Sequence, residues 1–491
     1  MNNQGKASNI VTKAARSLKW AALTEIISRT ASPIVTVILA RFLEPEDYGI
    51  VATAMVVVSF GQMLWDAGLS KALIQTEEDL TDAAHVVFWS NLILGGIVYA
   101  VLFLVAPWVA VFFGSPKSAP VLRVLGLQII ISSLTSVQTS LFIRDMDFRR
   151  LMWVKLLTAF IPGLFSIPMA MAGHGVWALV AGTLAGQTFN LILLWHHSHW
   201  RPALHYNFRL AKKLMHFGLW ILADAIGGWL QTWGDNLIVG RFLGVRELGV
   251  YRLGWTLAGI CYQLVLSPVL RIVYPAFSRL QNDREALQRS FRKSNRLLLA
   301  IIVPIGVGLV LVGPEISMGL FGSKWDGLGL VLQVIGLMFA IAWMTGINPE
   351  LYRAIGHPHA NAILVYVQLL YYLPAYYFAA QEGLVWFVYV RLGVACVALP
   401  MHIYLCQRTL GTSWKYIWED GKTSFLAALF MGGIILAVKM LLPCIAPQIG
   451  AVGTLIVTVP SGICIYLAVL TLLDRGFMKN TLNLLRQATA A

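Results

Sequence analysis

The sequence predicts an all-α membrane protein of about 14 transmembrane helices, grouped as two pseudo-symmetric six-helix bundles and a C-terminal helix pair. Three observations carry that expectation. Of the 491 residues, 58% are hydrophobic and only 12% charged, and the mean hydropathy of +0.71 lies far from that of a soluble chain. Apolar runs of about 20 residues, enough to cross the hydrocarbon of a bilayer, recur along the whole chain. Finally, Arg41-Phe42-Leu43 returns 200 residues later as Arg241-Phe242-Leu243, and the likeness extends through Gly49/Gly249, Asp47/Glu247 and Ile50/Val250. Duplicated helical halves are a common way to build secondary transporters.

In chain order, spans are expected near 19–40, 48–70, 86–112, 119–143, 154–172, 175–196, 214–240, 248–270, 297–321, 327–350, 360–380, 384–405, 423–442 and 451–473. Six precede a cytoplasmic connector at 197–213, and six follow it. The chain thus divides into an N-terminal bundle (1–196), the connector, a C-terminal bundle (214–406), and an extra helix pair with a cytoplasmic tail (407–491). Barrel-type alternation of apolar and polar residues is missing, so closed helices must satisfy the backbone in lipid. The first span follows Lys13, Arg16 and Lys19 with no small-residue cleavage pattern and reads as a retained helix. Pro33, Pro162, Pro168, Pro268, Pro304, Pro374 and Pro400 fall inside spans as hinge candidates. Gly182 with Gly186, and Gly240 with Gly244, have the GxxxG spacing that permits close helix contact.

Lys and Arg set the orientation, because basic loops near helix ends stay in the cytoplasm. Most of the 37 fall in loops expected on one side, against Arg41, Lys117, Arg241, Arg246, Arg252 and Lys324 on the other. An even number of spans then places both termini in the cytoplasm. This asymmetry accounts for most of the net charge of +14, and no soluble basic module exists to bind nucleic acid. The stretch Arg271–Arg296 reads either as an amphipathic segment on anionic headgroups or as a solvated loop.

Several chemistries are excluded. There is no GxxxxGK[ST] loop and no soluble catalytic domain, so the chain is expected to be neither an ATPase nor another enzyme, and no cofactor is implied. His196, His197 and His199, flanked by Trp195 and Trp200, suit interfacial anchoring better than metal ligation. Cys261, Cys396, Cys406, Cys444 and Cys464 lack metal or paired spacing.

The candidate site residues are the ionisable ones inside spans, where charge is costly and usually faces a cavity or a partner. Glu25 and Arg29 stand four apart on one helix face, either as a self-neutralising pair or as a cationic contact for an anionic ligand gated by the glutamate. The equivalent helix of the second half offers Asp224, Gln231 and Asp235. Asp66 is a cavity candidate or the cap of a short break before Lys71; Arg123 and Arg391 are cavity candidates or snorkelling residues. Lys439 reads as an outer anchor. Tyr366, Tyr371, Tyr372, Tyr376 and Tyr377 suit a sugar path or an interfacial belt.

The segment Leu39-Ala-Arg-Phe-Leu-Glu-Pro-Glu-Asp-Tyr-Gly49, its echo at Val239–Gly249, and Tyr274-Pro-Ala-Phe-Ser-Arg-Leu280 before a basic stretch carry a resemblance. The chain resembles the polysaccharide transporter branch of the multidrug/oligosaccharidyl-lipid/polysaccharide exporter superfamily, and within it the Wzx-type flippases of the colanic-acid exporter group. The resemblance implies an inner-membrane protein that flips an undecaprenyl-diphosphate-linked oligosaccharide repeat unit to the periplasmic leaflet. Membrane lipids, a polymerase and chain-length proteins would be its partners. The family has a cationic central cavity but no invariant motif to carry over, so the site assignments rest on intramembrane charge. Arg29, Arg123 and Arg391 are expected to bind the diphosphate, and Glu25, Asp66, Asp224 and Asp235 to line the cavity or couple an ion. A lipid-II flippase and a multidrug cation antiporter of the same superfamily are the alternatives.

Overall fold

The computed structural model describes residues 33–66, 68–76, 79–445 and 448–479, and every regular element among them is a helix. In order these are α1 (Pro33–Phe42), α2 (Pro45–Asp66), α3 (Leu69–Gln75), α4 (Leu80–Phe112), α5 (Ser118–Leu125), α6 (Leu127–Arg144), α7 (Phe148–Met171), α8 (Val176–His197), α9 (Phe208–Phe242) and α10 (Val245–Arg279). There follow α11 (Arg284–Ile316), α12 (Leu328–Trp343), α13 (Asn348–Ala354), α14 (Pro358–Gln381), α15 (Leu384–Leu410), α16 (Tyr416–Ile445) and α17 (Ala451–Leu473). Among the described residues, 11 helical segments are long and apolar enough to cross a membrane. The expected span 19–40 falls mostly outside those residues. The expected spans 214–240 and 248–270 lie within α9 and α10, of 35 residues each. At about 1.5 Å per residue such helices reach roughly 50 Å, more than the hydrocarbon requires.

Several boundaries differ from expectation for local reasons. The span 48–70 stops at Asp66, and the chain restarts as α3 after Gly68, whose φ of 76° ends a helix at little cost. The connector is shorter than expected, residues 198–207 instead of 197–213, because Asn207 accepts the backbone N–H groups of Arg209 and Leu210 (both 3.1 Å) and starts α9 inside it. The basic stretch Arg271–Arg296 is neither a loop nor a separate surface helix. It is the end of α10 and the start of α11, which Asp283 caps through the Ala286 N–H at 2.9 Å.

The chain forms two compact units, Met1–Arg252 and Leu253–Ala491. In the first, α7 and α8 pack closely through the expected Gly182 and Gly186: a Cβ on Gly182 would lie 2.6 Å from the Pro162 carbonyl oxygen, and one on Gly186 would lie 2.9 Å from the Pro162 ring. The repeat is also realised. α1 and α9 end at Phe42 and Phe242, and α2 and α10 begin at Pro45 and Val245. The paired glycines mark where the first turns of α2 and α10 cross. A Cβ on Gly49 would sit 1.6 Å from the Val245 carbonyl oxygen, and one on Gly249 would sit 1.9 Å from that of Pro45.

Ends of elements that precede and follow basic loops gather at one end of this unit. Arg144 donates to the Leu73 carbonyl (2.9 Å), Trp89 to that of Ala203 (2.8 Å), and His205 approaches Asp82 (3.6 Å). In the second unit, Arg284 and Gln288 likewise donate to the Leu410 carbonyl at 3.3 and 2.7 Å.

Here α11 is the element to which the C-terminal helix pair is fastened. At its basic end, Arg292 bridges Glu419 (2.9 Å) and Asp420 (2.5 Å), while Arg296 pairs with Asp474 beyond α17. Midway, the Tyr466 hydroxyl donates to the Ala300 carbonyl at 2.8 Å. At the far end, Lys439 donates to Glu315 and to the Leu311 carbonyl, both at 2.6 Å. Lys439 is therefore an interhelical clamp as well as a residue near a helix end. Breaking a fully buried pair costs about 3–5 kcal/mol because the remaining charge is stranded. With side chains 23% and 17% exposed, Lys439→Met is expected to cost roughly 1–3 kcal/mol. That loss should appear as a lower Tm in detergent, and Glu315→Gln added to it should restore most of the difference.

Candidate functional site

In the first unit, the best-built polar site lies where α9 meets α10. Asp235 is 2% exposed. Its Oδ2 accepts from the Tyr251 hydroxyl at 2.5 Å, and its Oδ1 accepts from the backbone and side-chain N–H groups of Asn236, both at 2.7 Å. The amide oxygen of Asn236 is buried with no hydrogen-bond partner among the described residues. On the same pair of helices, the guanidinium of Arg252 lies 4.5 Å above the Trp233 ring. A carboxylate, an amide, a phenol and a stacked cation therefore share one helical hairpin, a setting able to bind a proton or a small cation.

The other candidates in this unit occupy different settings. Asp66 accepts from the backbone N–H of Ser70 at 3.3 Å and from its hydroxyl, and so holds the start of α3. The half-buried Arg123 donates through Nε to the Phe103 carbonyl at 3.2 Å and lies 4.5 Å over the Phe103 ring. Glu25 and Arg29 lie outside the described residues, as does the side chain of Asp224.

In the second unit, Arg391 projects from the second turn of α15 and is 6% exposed. Its guanidinium lies 4.1 Å from the centre of the Trp255 ring on α10 and 5.4 Å from that of Tyr376 on α14. Desolvated stacking of this kind is worth about 2 kcal/mol or more. It offsets part of the cost of a buried charge. The tyrosine run divides accordingly. Tyr371, Tyr372 and Tyr376 form a ladder with ring centres 4.9 and 5.8 Å apart that leads to Arg391, whereas Tyr366 and Tyr377 are exposed on the outer surface.

Trp255 and Tyr251 are functional candidates that the sequence reading missed. Each is one aromatic among many along the chain, and only its cross-helix contact distinguishes it. The hydroxyl-rich α6 is another unforeseen feature. Its Ser133, Thr135, Ser136 and Thr139 donate back to carbonyls three or four residues earlier, which satisfies them without any ligand. Among the described residues no group of three or more His, Cys, Asp and Glu side chains is placed to hold a metal.

Comparison with known proteins agrees with this architecture. Residues 38–329 match the family model described as polysaccharide biosynthesis protein. The chain is 25% identical over 480 residues to the succinoglycan biosynthesis transport protein ExoT of Rhizobium meliloti (strain 1021), covering 96% of this chain and 95% of that one. It is 25% identical over 331 residues to the lipopolysaccharide biosynthesis protein WzxC of Escherichia coli (strain K12), covering 66% and 67% respectively. Among solved structures, the lipid II flippase MurJ in an inward closed conformation shares the fold. Its TM-score is 0.74 over 93% of this chain and 99% of that one, at 14% identity.

Proposed function

This chain belongs to the family of polysaccharide biosynthesis proteins, and from that premise we propose that it is a secondary transporter, not an enzyme. It flips an undecaprenyl-diphosphate-linked oligosaccharide repeat unit across the bacterial inner membrane by alternating access, for exopolysaccharide or O-antigen assembly. The observation that carries this reading is the match, over nearly the whole of both chains, to a protein named for succinoglycan transport. The full complement is 14 spans, adding the first span, α9 and α10 to the 11 long and apolar enough to cross the membrane. They form two six-helix bundles over 1–196 and 214–406, joined by the 197–213 connector and followed by the pair and tail of 407–491. Both termini lie in the cytoplasm, an orientation supported by the basic loops gathered at one end of each unit.

Arg29, Arg123 and Arg391 hold the diphosphate, for which a planar guanidinium offers two parallel donors. Glu25, Asp66, Asp224 and Asp235 are the carboxylates available to couple a proton or sodium ion, and Asp235 has the best-built surroundings of them. Membrane lipids surround the prenyl tail, and a polymerase with its chain-length proteins takes up the flipped unit.

Complementation tests the function. Expressed in a strain that lacks its own repeat-unit exporter, the protein is expected to restore surface polysaccharide. Correct insertion without restoration, together with rescue of a lipid-II flippase mutant or with drug efflux, would transfer the assignment to one of those activities. In inverted vesicles, flipping should slow when the ion gradient is collapsed, and Asp235→Asn should remove that dependence; flipping that ignores both gradients would end the coupling proposal.

A further inference from the structure

Outside the features used above, the second unit carries two adjoining apolar grooves. One, of about 780 Å³, lies between α15 and α16 and is lined by Pro400, Tyr404, Gln407, Lys415, Trp418 and Phe425 among others. The second, of about 430 Å³, lies between α14 and α15 and is lined by Ile363, Val367, Met401 and Leu405. Pro400 and Tyr404 line both, so the grooves straddle the exposed Tyr404 ring, 63% accessible, on the outer face of α15. Pro400 cannot donate to the carbonyl one turn back, which marks a weak point in α15 at the place where the grooves meet.

The charge is confined to one end. The larger groove ends at the turn between α15 and α16, where Lys415 lies 4.9 Å over the Trp414 ring, and along the first turns of α16 Trp418 stacks on Phe425 at 5.9 Å and 12°. Arg408 is exposed beside Gln407, and His357 and His359 flank the start of α14 near the mouth of the smaller groove. Tryptophans and cations at the end of an apolar slot form the pattern of a headgroup boundary. Among the described residues, no acidic side chain lines either groove.

We propose that these two grooves bind one diacyl phospholipid with an anionic headgroup, a chain on each side of Tyr404 and its phosphate on Lys415 and Arg408. Two grooves that adjoin at Pro400 and Tyr404, with Lys415 lining the larger and Arg408 one turn beyond Tyr404 on α15, fit two chains on one headgroup; a single prenyl chain would leave one groove unfilled. The site faces lipid and uses none of the residues assigned to transport, so its test does not depend on the transport assignment.

The purified full-length protein is labelled with phosphatidylglycerol carrying a photoreactive diazirine in both acyl chains, and the modified residues are mapped. Adducts are expected on 360–367 and on 399–425, displaced by excess phosphatidylglycerol but not by phosphatidylcholine. One basic residue near a headgroup is worth about fivefold in binding, so Lys415→Gln and Arg408→Gln should each weaken labelling by about that factor. Three results would overturn the proposal: labelling indifferent to headgroup, equal labelling of the exposed α7 residues Leu157 and Leu164, or displacement by undecaprenyl phosphate in preference to phosphatidylglycerol. The last would assign the grooves to the tail of a prenyl lipid.

Discussion

Gly49→Leu is expected to leave almost no folded protein in the membrane, and Gly249→Leu to do the same. At each position the missing side chain is replaced by a backbone carbonyl of the opposing helix, 1.6 Å from where a Cβ would be at Gly49 and 1.9 Å at Gly249. A flexible side chain can turn away from an intruding methyl group, but a carbonyl fixed in the first turn of a helix cannot. The helices must instead separate, losing close packing and the Cα–H contacts to carbonyls that such crossings permit. Overpacking a core that can adjust costs about 1–3 kcal/mol, and this contact has little room to adjust, so the cost should exceed about 3 kcal/mol. Gly49→Ala should already lower the yield of monodisperse protein. Gly96→Ala and Gly433→Ala are the controls, since nothing lies within 4 Å of a Cβ at either position. Normal yield and Tm for Gly49→Leu would refute the crossing.

Arg391→Met should separate folding from transport. Met keeps most of the volume between Trp255 and Tyr376, and the cation–π stacking it forfeits is offset by the desolvation cost of the charge it removes. The Tm is therefore expected to change little. A charge-assisted hydrogen bond to phosphate is worth about 1.5–3 kcal/mol, so flipping should fall by at least about tenfold at equal expression. Arg391→Lys should recover only part of this, because an ammonium neither stacks nor binds bidentately as a guanidinium does. Undiminished flipping in Arg391→Met, measured as surface polysaccharide in the complemented strain, would make Arg391 a packing residue.

The candidate residues differ in how far the sequence revealed them. That Arg391 and Asp235 lie inside apolar segments is evident from the string alone, because bilayer hydrocarbon excludes charge and each exception stands out. Their partners do not stand out. Trp255 and Tyr376 are two aromatics among many, brought to one guanidinium by the packing of α10, α14 and α15. The pairing of Lys439 with Glu315 spans 124 positions, a separation for which local spacing provides no signal. Asp66 is legible in the sequence as a cavity residue or a cap, and its hydrogen bonds from Ser70 suit the second reading without deciding between them.

Membrane class, helical content and the recurring helix-turn-helix at 39–49 and 239–249 follow from the chain's own composition and repeat. These depend on interactions with solvent and near neighbours: apolar runs must leave water, backbone groups in lipid must bond locally, and the same turn residues start the same helices. Which glycines meet carbonyls, which cations are clamped, and that α11 holds the C-terminal pair at three levels were settled by folding. Those outcomes depend on which helix faces meet, and faces separated by a hundred or more residues are chosen by complementary shape and charge that no local pattern encodes.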